Sequence, residues 1–251
     1  MIPKVSILVL TYNRLHLSSR YIPLILNNAG NIPAEMLIWD NGSSDGSYDW
    51  GVSFGQADCQ VTHVIGHHKN IGMEAFNSLA KKAQGKYIIK VDDDIEVPKN
   101  FAERLVNAYE QAAEKRLLFL GWDMPWPRGP KAGGDTFATR SGMGLYQGRQ
   151  GKTIQINEKE KVLIHYNPEN WMINGVCRLS LRDKFLKIGG HPKRIVYGVD
   201  KHISIKAAQQ GYWIGYFNSP DLVYHRGLQD SPEYRAMKDV ELQKVNSPRD
   251  V

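Results

Sequence analysis

The sequence predicts an α/β fold, a doubly wound and mostly parallel sheet with helices on both faces and a further lobe. Three observations predict it. Short apolar runs alternate with longer amphipathic stretches through the first half of the 251 residues, the pattern of βαβ units. Several of those runs end in polar clusters, where strands of such a sheet present ligand contacts. With 42% apolar and 23% charged residues, the chain has the composition of a globular protein able to bury a sizeable core.

The elements follow in order. Val5–Leu10, Met36–Trp39, Val61–Ile65, Tyr87–Val91 and Leu117–Leu120 are short and apolar, as buried strands are. Helical spacing marks Leu15–Ala29, Gly72–Ala83 and Asn100–Lys115, and less regularly Asp45–Gln56. From Trp122 to Gly151 the chain is rich in Gly, Pro, Arg and Trp without clear periodicity, which predicts a long loop region, with or without irregular strands, of the kind that is functional or mobile. Beyond it, "VLIHYNPENWMINGVCRLSL" reads as strands and "RDKFLKIGG" as a helix stopped by glycine. "DKHISIKAAQQG" reads as a helix with Asp200 near its start and Gly211 past its end. The charged tail 228–251 is expected to fold over the body or fray. One domain, residues 1–251, is expected.

No apolar run approaches the ~18 to 20 residues that span a bilayer, so no transmembrane segment is expected. The N-terminal "MIPKVSILVLTYNR" lacks a signal-peptide layout, because polar residues follow a short apolar run. A cytoplasmic protein is the expectation. Cys59 and Cys177 have no CxxC spacing and read as free thiols. A net charge of +6 and a pI near 9.1 favour an anionic partner such as a nucleotide, nucleic acid or membrane surface.

The stretch "GKYIIKVDDDIEVPKN" places Asp92, Asp93 and Asp94 behind a buried strand. Clustered carboxylates repel one another, so a cation or a set of donors must compensate them. Two other strands end in "TYNR" (Thr11, Tyr12, Asn13, Arg14) and in "DNGSSDGS", which begins at Asp40. The latter alone reads as an ordinary turn, since Asn-Gly and Asp-Gly are turn dipeptides. In a doubly wound sheet these ends meet at one crevice.

Together "VSILVLTYNR", "LIWDNGSSDGS", "KNIGMEAFN" and "IIKVDDDIEVP" resemble the nucleotide-sugar-binding half of family 2 glycosyltransferases of the GT-A fold. The resemblance is close from Val5 to about Val97 and returns at "NGVCRLSLRDKFLKIGGHPKRIVYGVDKHISIKAAQQGY". It implies a nucleotide-sugar-binding half at 1–121 and an acceptor-binding, catalytic half at 122–227. It also implies a metal-dependent transfer with inversion at the anomeric carbon, UDP being the expected carrier. Asp92 would contact the ribose side of the nucleotide and Asp94 would ligate the metal, with Asp93 also at the site. Side chains at i and i+2 of an extended segment face the same way, which lets Asp92 and Asp94 serve one site. Oxygen ligands favour Mn²⁺ or Mg²⁺ over zinc. Asp40 would read the nucleobase, with Thr11, Tyr12, Asn13 and Arg14 lining the donor site. Asn70 and Gly72 would present polar groups at a helix start beside Lys69.

By the same resemblance Asp200 is the general base. The family carries a Glu-Asp pair there, and in "YGVD" Val199 replaces the glutamate, which puts that residue's acceptor contact in doubt. His225 stands where several GT-A enzymes place a histidine close to the metal or diphosphate. Trp122, Trp126, Trp171 and Trp213 are candidates to stack on a sugar or base, only Trp126 being expected at the surface. The acceptor is left open among a glycan, a lipid-linked sugar, a protein side chain and modified DNA. A nucleotidyltransferase would open with a glycine-rich phosphate loop, which "LTYNRLHLSS" lacks. A noncatalytic nucleotide-sugar-binding module would not need Asp200.

Overall fold

The computed structural model describes residues 2–123, 151–166, 173, 175–193, 199–227, 236 and 240. Trp126, Trp171, Tyr197, Gly198, most of the Gly/Pro-rich segment and nearly all of the tail lie outside the described residues. No helix among the described residues is long and apolar enough to cross a membrane.

The strands are β1 (Val5–Thr11), β2 (Ala34–Asp40), β3 (Val61–Gly66), β4 (Tyr87–Asp92), β5 (Ile95–Glu96), β6 (Leu117–Trp122), β7 (Gly151–Gln155), β8 (Lys161–His165), β9 (Cys177–Leu181), β10 (Trp213–Asn218) and β11 (Tyr224–His225). The helices are α1 (Leu15–Asn27), α2 (Ser47–Ala57), α3 (Ala75–Lys82), α4 (Phe101–Ala112), α5 (Arg182–Lys187) and α6 (Val199–Gln209). The helix expected from Gly72 opens with a 3₁₀ turn, Gly72–Glu74, before α3. Gly189 and Gly211 adopt positive φ just beyond α5 and α6, the left-handed stops their sequence position implied.

Nine strands form one sheet in the order β3-β2-β1-β4-β9-β6-β10-β8-β7, with β3, β2, β1 and β4 mutually parallel. Strand β9, from the second half of the sequence, lies antiparallel between β4 and β6. The two halves therefore share one sheet. The strands with both faces covered read as continuous apolar runs for that reason. Val5, Ile7 and Val9 of β1 pack with Ile22, Ile25, Phe101 and Leu105 of α1 and α4. Leu8 of β1 and Ile88 of β4 point to the other face, with Phe76, Leu79, Phe185 and Ile203 of α3, α5 and α6.

Strands β5 and β11 form a separate antiparallel ribbon, with Tyr224 opposite Glu96 and His225 opposite Ile95. Nothing in the periodicity foretold it, because two-residue strands have none. Trp122 is core, 1% exposed, with its indole N–H donating to the Asp221 carbonyl at 3.0 Å. Trp213 packs on Tyr166 at a ring separation of 4.3 Å.

Candidate active site

Register brings the strand ends together. Thr11 pairs with Asp40 across β1 and β2, and Leu10 pairs with Asp92 across β1 and β4. The order reverses at β1, since β2 lies on one side and β4 on the other. Such a switch point opens a crevice at the carboxyl ends of the strands.

The loops after β1 and β2 clasp each other. Asn13, at φ 51, accepts from the Ser44 amide at 2.7 Å through Oδ1, and its own N–H donates to Ser43 Oγ at 2.9 Å. The Leu15 amide donates to Asp45 at 2.8 Å. Asp40 accepts the amides of Gly42 and Ser43 through Oδ2, at 3.1 and 3.0 Å. Its Oδ1 is buried without a hydrogen-bond partner among the described residues. Asn41, which the sequence did not single out, is the hub behind this loop. It binds Asn70 Oδ1 at 2.6 Å and accepts the Ile71 amide at 3.0 Å. Asn70 also accepts the Gly72 amide at 2.8 Å. Tyr12 is half-buried. Beyond β3, His67 stacks between Trp39 and His68 at ring separations of 5.7 and 4.4 Å.

The aspartate run divides by burial. Asp92 ends β4, and Asp93 and Asp94 form the turn into β5. Asp93 turns inward, where Ser18 donates to Oδ2 at 2.6 Å and Arg14 Nη1 lies 3.3 Å from Oδ1. Ser18 shares a second hydrogen bond with Thr11 at 2.7 Å. Burial raises the Asp93 pKa, the charge on Arg14 opposing the rise and that on Asp94 adding to it. Asp94 is fully buried and bonds Arg14 Nη2 at 2.5 Å. Arg14 is therefore part of the answer to the clustered charge: a buried guanidinium between two carboxylates.

The β5–β11 ribbon carries a histidine to this turn. His225 Nε2 lies 3.6 Å from Asp94 Oδ2, and the Arg226 amide donates to the Asp94 carbonyl at 2.8 Å. Asp92, Asp94 and His225 offer ligand atoms within 4.8 Å of one another. Asp94 Oδ1 is buried with no hydrogen-bond partner among the described residues, an oxygen that a cation would satisfy. Two carboxylates and an imidazole fit a divalent cation.

Behind Asp92, Lys90 projects from the same face of β4. Its ammonium donates to Asp92 Oδ1 and to the Gly175 carbonyl. The Gly175 amide in turn donates to Asp200 Oδ2 at 3.1 Å. Asp200 lies in the first turn of α6, yet its carboxylate binds this neighbouring segment and faces Arg178 Nη1 at 3.6 Å. Burial raises the Asp200 pKa, with Arg178 and Lys90 pulling it down. Because 37% of the side chain still reaches solvent, that desolvation is partial. A side chain on Gly175 would collide with the Asp200 carboxylate, so glycine permits the approach. Lys90 and Arg178 had a sequence signal, a cation inside each apolar run "IIKV" and "VCRLSL". Ser18 and Asn41 had none.

Residues 6–116 match the family model for glycosyl transferase family 2. No curated protein matches the chain. Among solved structures, a mannosyltransferase from Pyrobaculum calidifontis in complex with GDP-Man and Mn²⁺ is similar at 17% identity and a TM-score of 0.65, over 98% of this chain and 64% of that one. GalNAc-T7 with UDP, GalNAc and Mn²⁺ is similar at 15% identity and a TM-score of 0.65, over 89% of this chain and 44% of that one. S. aureus TarS, residues 1–349, is similar at 18% identity and a TM-score of 0.58, over 98% of this chain and 66% of that one. The chain thus spans less than two thirds of the length of the first two. Residues 6–116 thus resemble glycosyl transferase family 2, and the fold of the chain is the one it shares with these glycosyltransferase structures.

Proposed function

We propose that the protein transfers a sugar from a UDP-linked donor to an acceptor hydroxyl with inversion, Asp200 acting as general base. The observation that carries this reading is the linkage of two carboxylates. Lys90 joins Asp92 to the Gly175 carbonyl, and the Gly175 amide holds Asp200. A donor-side carboxylate and a base candidate are thus held in one hydrogen-bond network, as a direct displacement needs.

Asp40, with one oxygen committed to its turn and the other buried and unpaired, is suited to accept a nucleobase N–H. Thr11, paired with Asp40 in the sheet, and Tyr12 and Asn13 after it would line the donor side, and Asn70 and Gly72, in the segment that Asn41 holds, would add polar groups to it. Arg14 and Asp93 act from below by fixing Asp94. A divalent cation, Mn²⁺ or Mg²⁺, would be held by Asp94, Asp92 and His225 and would supply charge neutralisation for the departing diphosphate. Asp200 takes the acceptor's proton, and its burial-raised pKa makes it a stronger base than a solvated aspartate. The choice of UDP draws support from GalNAc-T7 and TarS, whose structures hold UDP or UDP-GlcNAc. Division into a donor half, 1–121, and an acceptor half, 122–227, belongs to this proposal. So does a cytoplasmic setting, consistent with the free thiols of Cys59 and Cys177.

The test is a screen of nucleotide sugars for thermal stabilisation and for hydrolysis, with and without Mn²⁺. Stabilisation by UDP-sugars that requires the ion is expected. A response to none of them, or an equal response without metal, overturns the reading. The acceptor class is decided by salt. An acceptor such as modified DNA binds with an affinity that falls steeply as salt rises. Undetectable DNA binding at low ionic strength assigns the acceptor to the glycan, lipid-linked or protein classes.

A further inference from the structure

We infer that Arg178 is the positioning residue for Asp200 and that His191 locks Arg178 into that task; the inference rests on the reading of Asp200 as the base. Arg178 lies on β9 directly opposite Lys90 of β4, and both are buried. Like charges directly opposed on antiparallel strands destabilise a sheet, and a buried guanidinium costs several kcal/mol unless it is paired. A leucine would pack there without either penalty. What distinguishes the arginine is what it faces: Nη1 lies 3.6 Å from Asp200 Oδ1, and Nη2 lies 2.9 Å from His191 Nε2.

The Nη2 end of the guanidinium is fixed by its hydrogen bond to His191. Arginine can only donate, so His191 Nε2 accepts and the imidazole carries its proton on Nδ1. His191 is anchored by Asn77, which accepts its amide at 2.8 Å and donates to its carbonyl at 3.0 Å. Its ring lies against Phe76 and Phe185 at 5.8 and 5.6 Å. Burial and the charges of Arg178, Lys90 and Lys206 keep the imidazole neutral. A cavity of about 10 Å³, at the small end of what holds one water, is bordered by Lys90, Arg178, Ser180 and His191. The Arg178 guanidinium also lies over the Phe119 ring at 4.7 Å.

The groups that face Asp200 are Arg178 from β9, Lys90 and Asp92 from β4, and the Gly175 amide. Lys90 is already engaged by Asp92 and the Gly175 carbonyl. Arg178 is therefore the cation that holds Asp200 ionised and aimed while burial favours its neutral form.

The test compares pH–rate profiles of sugar transfer for Arg178→Met, Arg178→Lys and His191→Phe, with Asp200→Asn as reference and Mn²⁺-dependent UDP affinity measured in parallel. Loss of a cation this close raises the pKa of the base, so the acid limb of the Arg178→Met profile moves up by about 1 unit or more. UDP affinity stays at the parental value. Arg178→Lys keeps the charge and restores the acid limb to near its parental position at reduced kcat. His191→Phe preserves the ring contacts and gives a smaller upward shift, and it carries the test if Arg178→Met does not fold. A fall in kcat with an unmoved acid limb in Arg178→Met and His191→Phe means that the arginine only packs, and the proposal is overturned while Asp200 keeps its role. Parental turnover by Asp200→Asn, or no transfer by the parent from any nucleotide sugar, removes the base reading itself and this inference with it.

Discussion

Arg14 Nη2 lies 2.5 Å from Asp94 Oδ2, an ion pair formed where Asp94 has no exposed surface. The pair answers much of the repulsion within the aspartate run, since the same guanidinium reaches Asp93 at 3.3 Å. Asp94 nevertheless keeps Oδ1 without a hydrogen-bond partner among the described residues. Half of the carboxylate serves the fold, and the other half is the oxygen that the proposed metal site would use.

Asp94→Asn separates those halves. It weakens the charge-assisted bond to Arg14, with an expected loss of about 1.5 to 3 kcal/mol of stability. It also removes the charge that a divalent ion requires. Calorimetry should show Mn²⁺-dependent UDP binding abolished, and unchanged affinity would sink the metal assignment.

Gly227→Ala tests the ribbon that covers the turn. A methyl at Gly227 would collide with Asp94 Oδ2 and Arg14 Nη2. Relieving it must push the segment after β11 away or break the ion pair, at roughly 1 to 3 kcal/mol. A lowered Tm together with weaker Mn²⁺-dependent UDP binding is expected. A Tm and a UDP affinity both within error of the parent would show that the ribbon does not press on the site.

Asp200→Asn keeps the shape and the acceptor for the Gly175 amide but cannot take up the proton of the acceptor hydroxyl. A rate loss of roughly 10²- to 10⁴-fold with retained UDP affinity is expected. UDP release with acceptor present is the assay. Turnover within a few-fold of the parent would remove Asp200 from the mechanism.

His165 is 1% exposed, and burial lowers its pKa from 6.5 to about 4. Between those two values the unfolded chain binds the proton and the folded one does not, so acid favours unfolding through this group. Its contribution to stability is complete above pH 6.5 and is lost as the pH falls toward about 4. Thermal melts across that range should show a shallower fall in Tm for His165→Gln than for the parent. Parallel curves would mean that His165 does not titrate in this way.

By itself the sequence determined the parallel half of the sheet and the carboxylates at its ends. Apolar runs such as Val5–Leu10 and Tyr87–Val91 record burial on both faces, and burial is what periodicity reports. The position of Asp40 and of Asp92 just behind such runs followed from the same signal. What periodicity omits is which element lies beside which. Only the tertiary structure inserts β9 between β4 and β6, setting Arg178 opposite Lys90. Only the pairing of β11 with β5 brings His225 to Asp94, across more than half the chain, through strands of two residues each. The lysine in "IIKV" and the arginine in "VCRLSL" were visible as charges in apolar runs. Their meaning depended on the groups they face, Asp92 and Asp200, and such long-range neighbours are fixed by packing and hydrogen bonding between segments that no local pattern records.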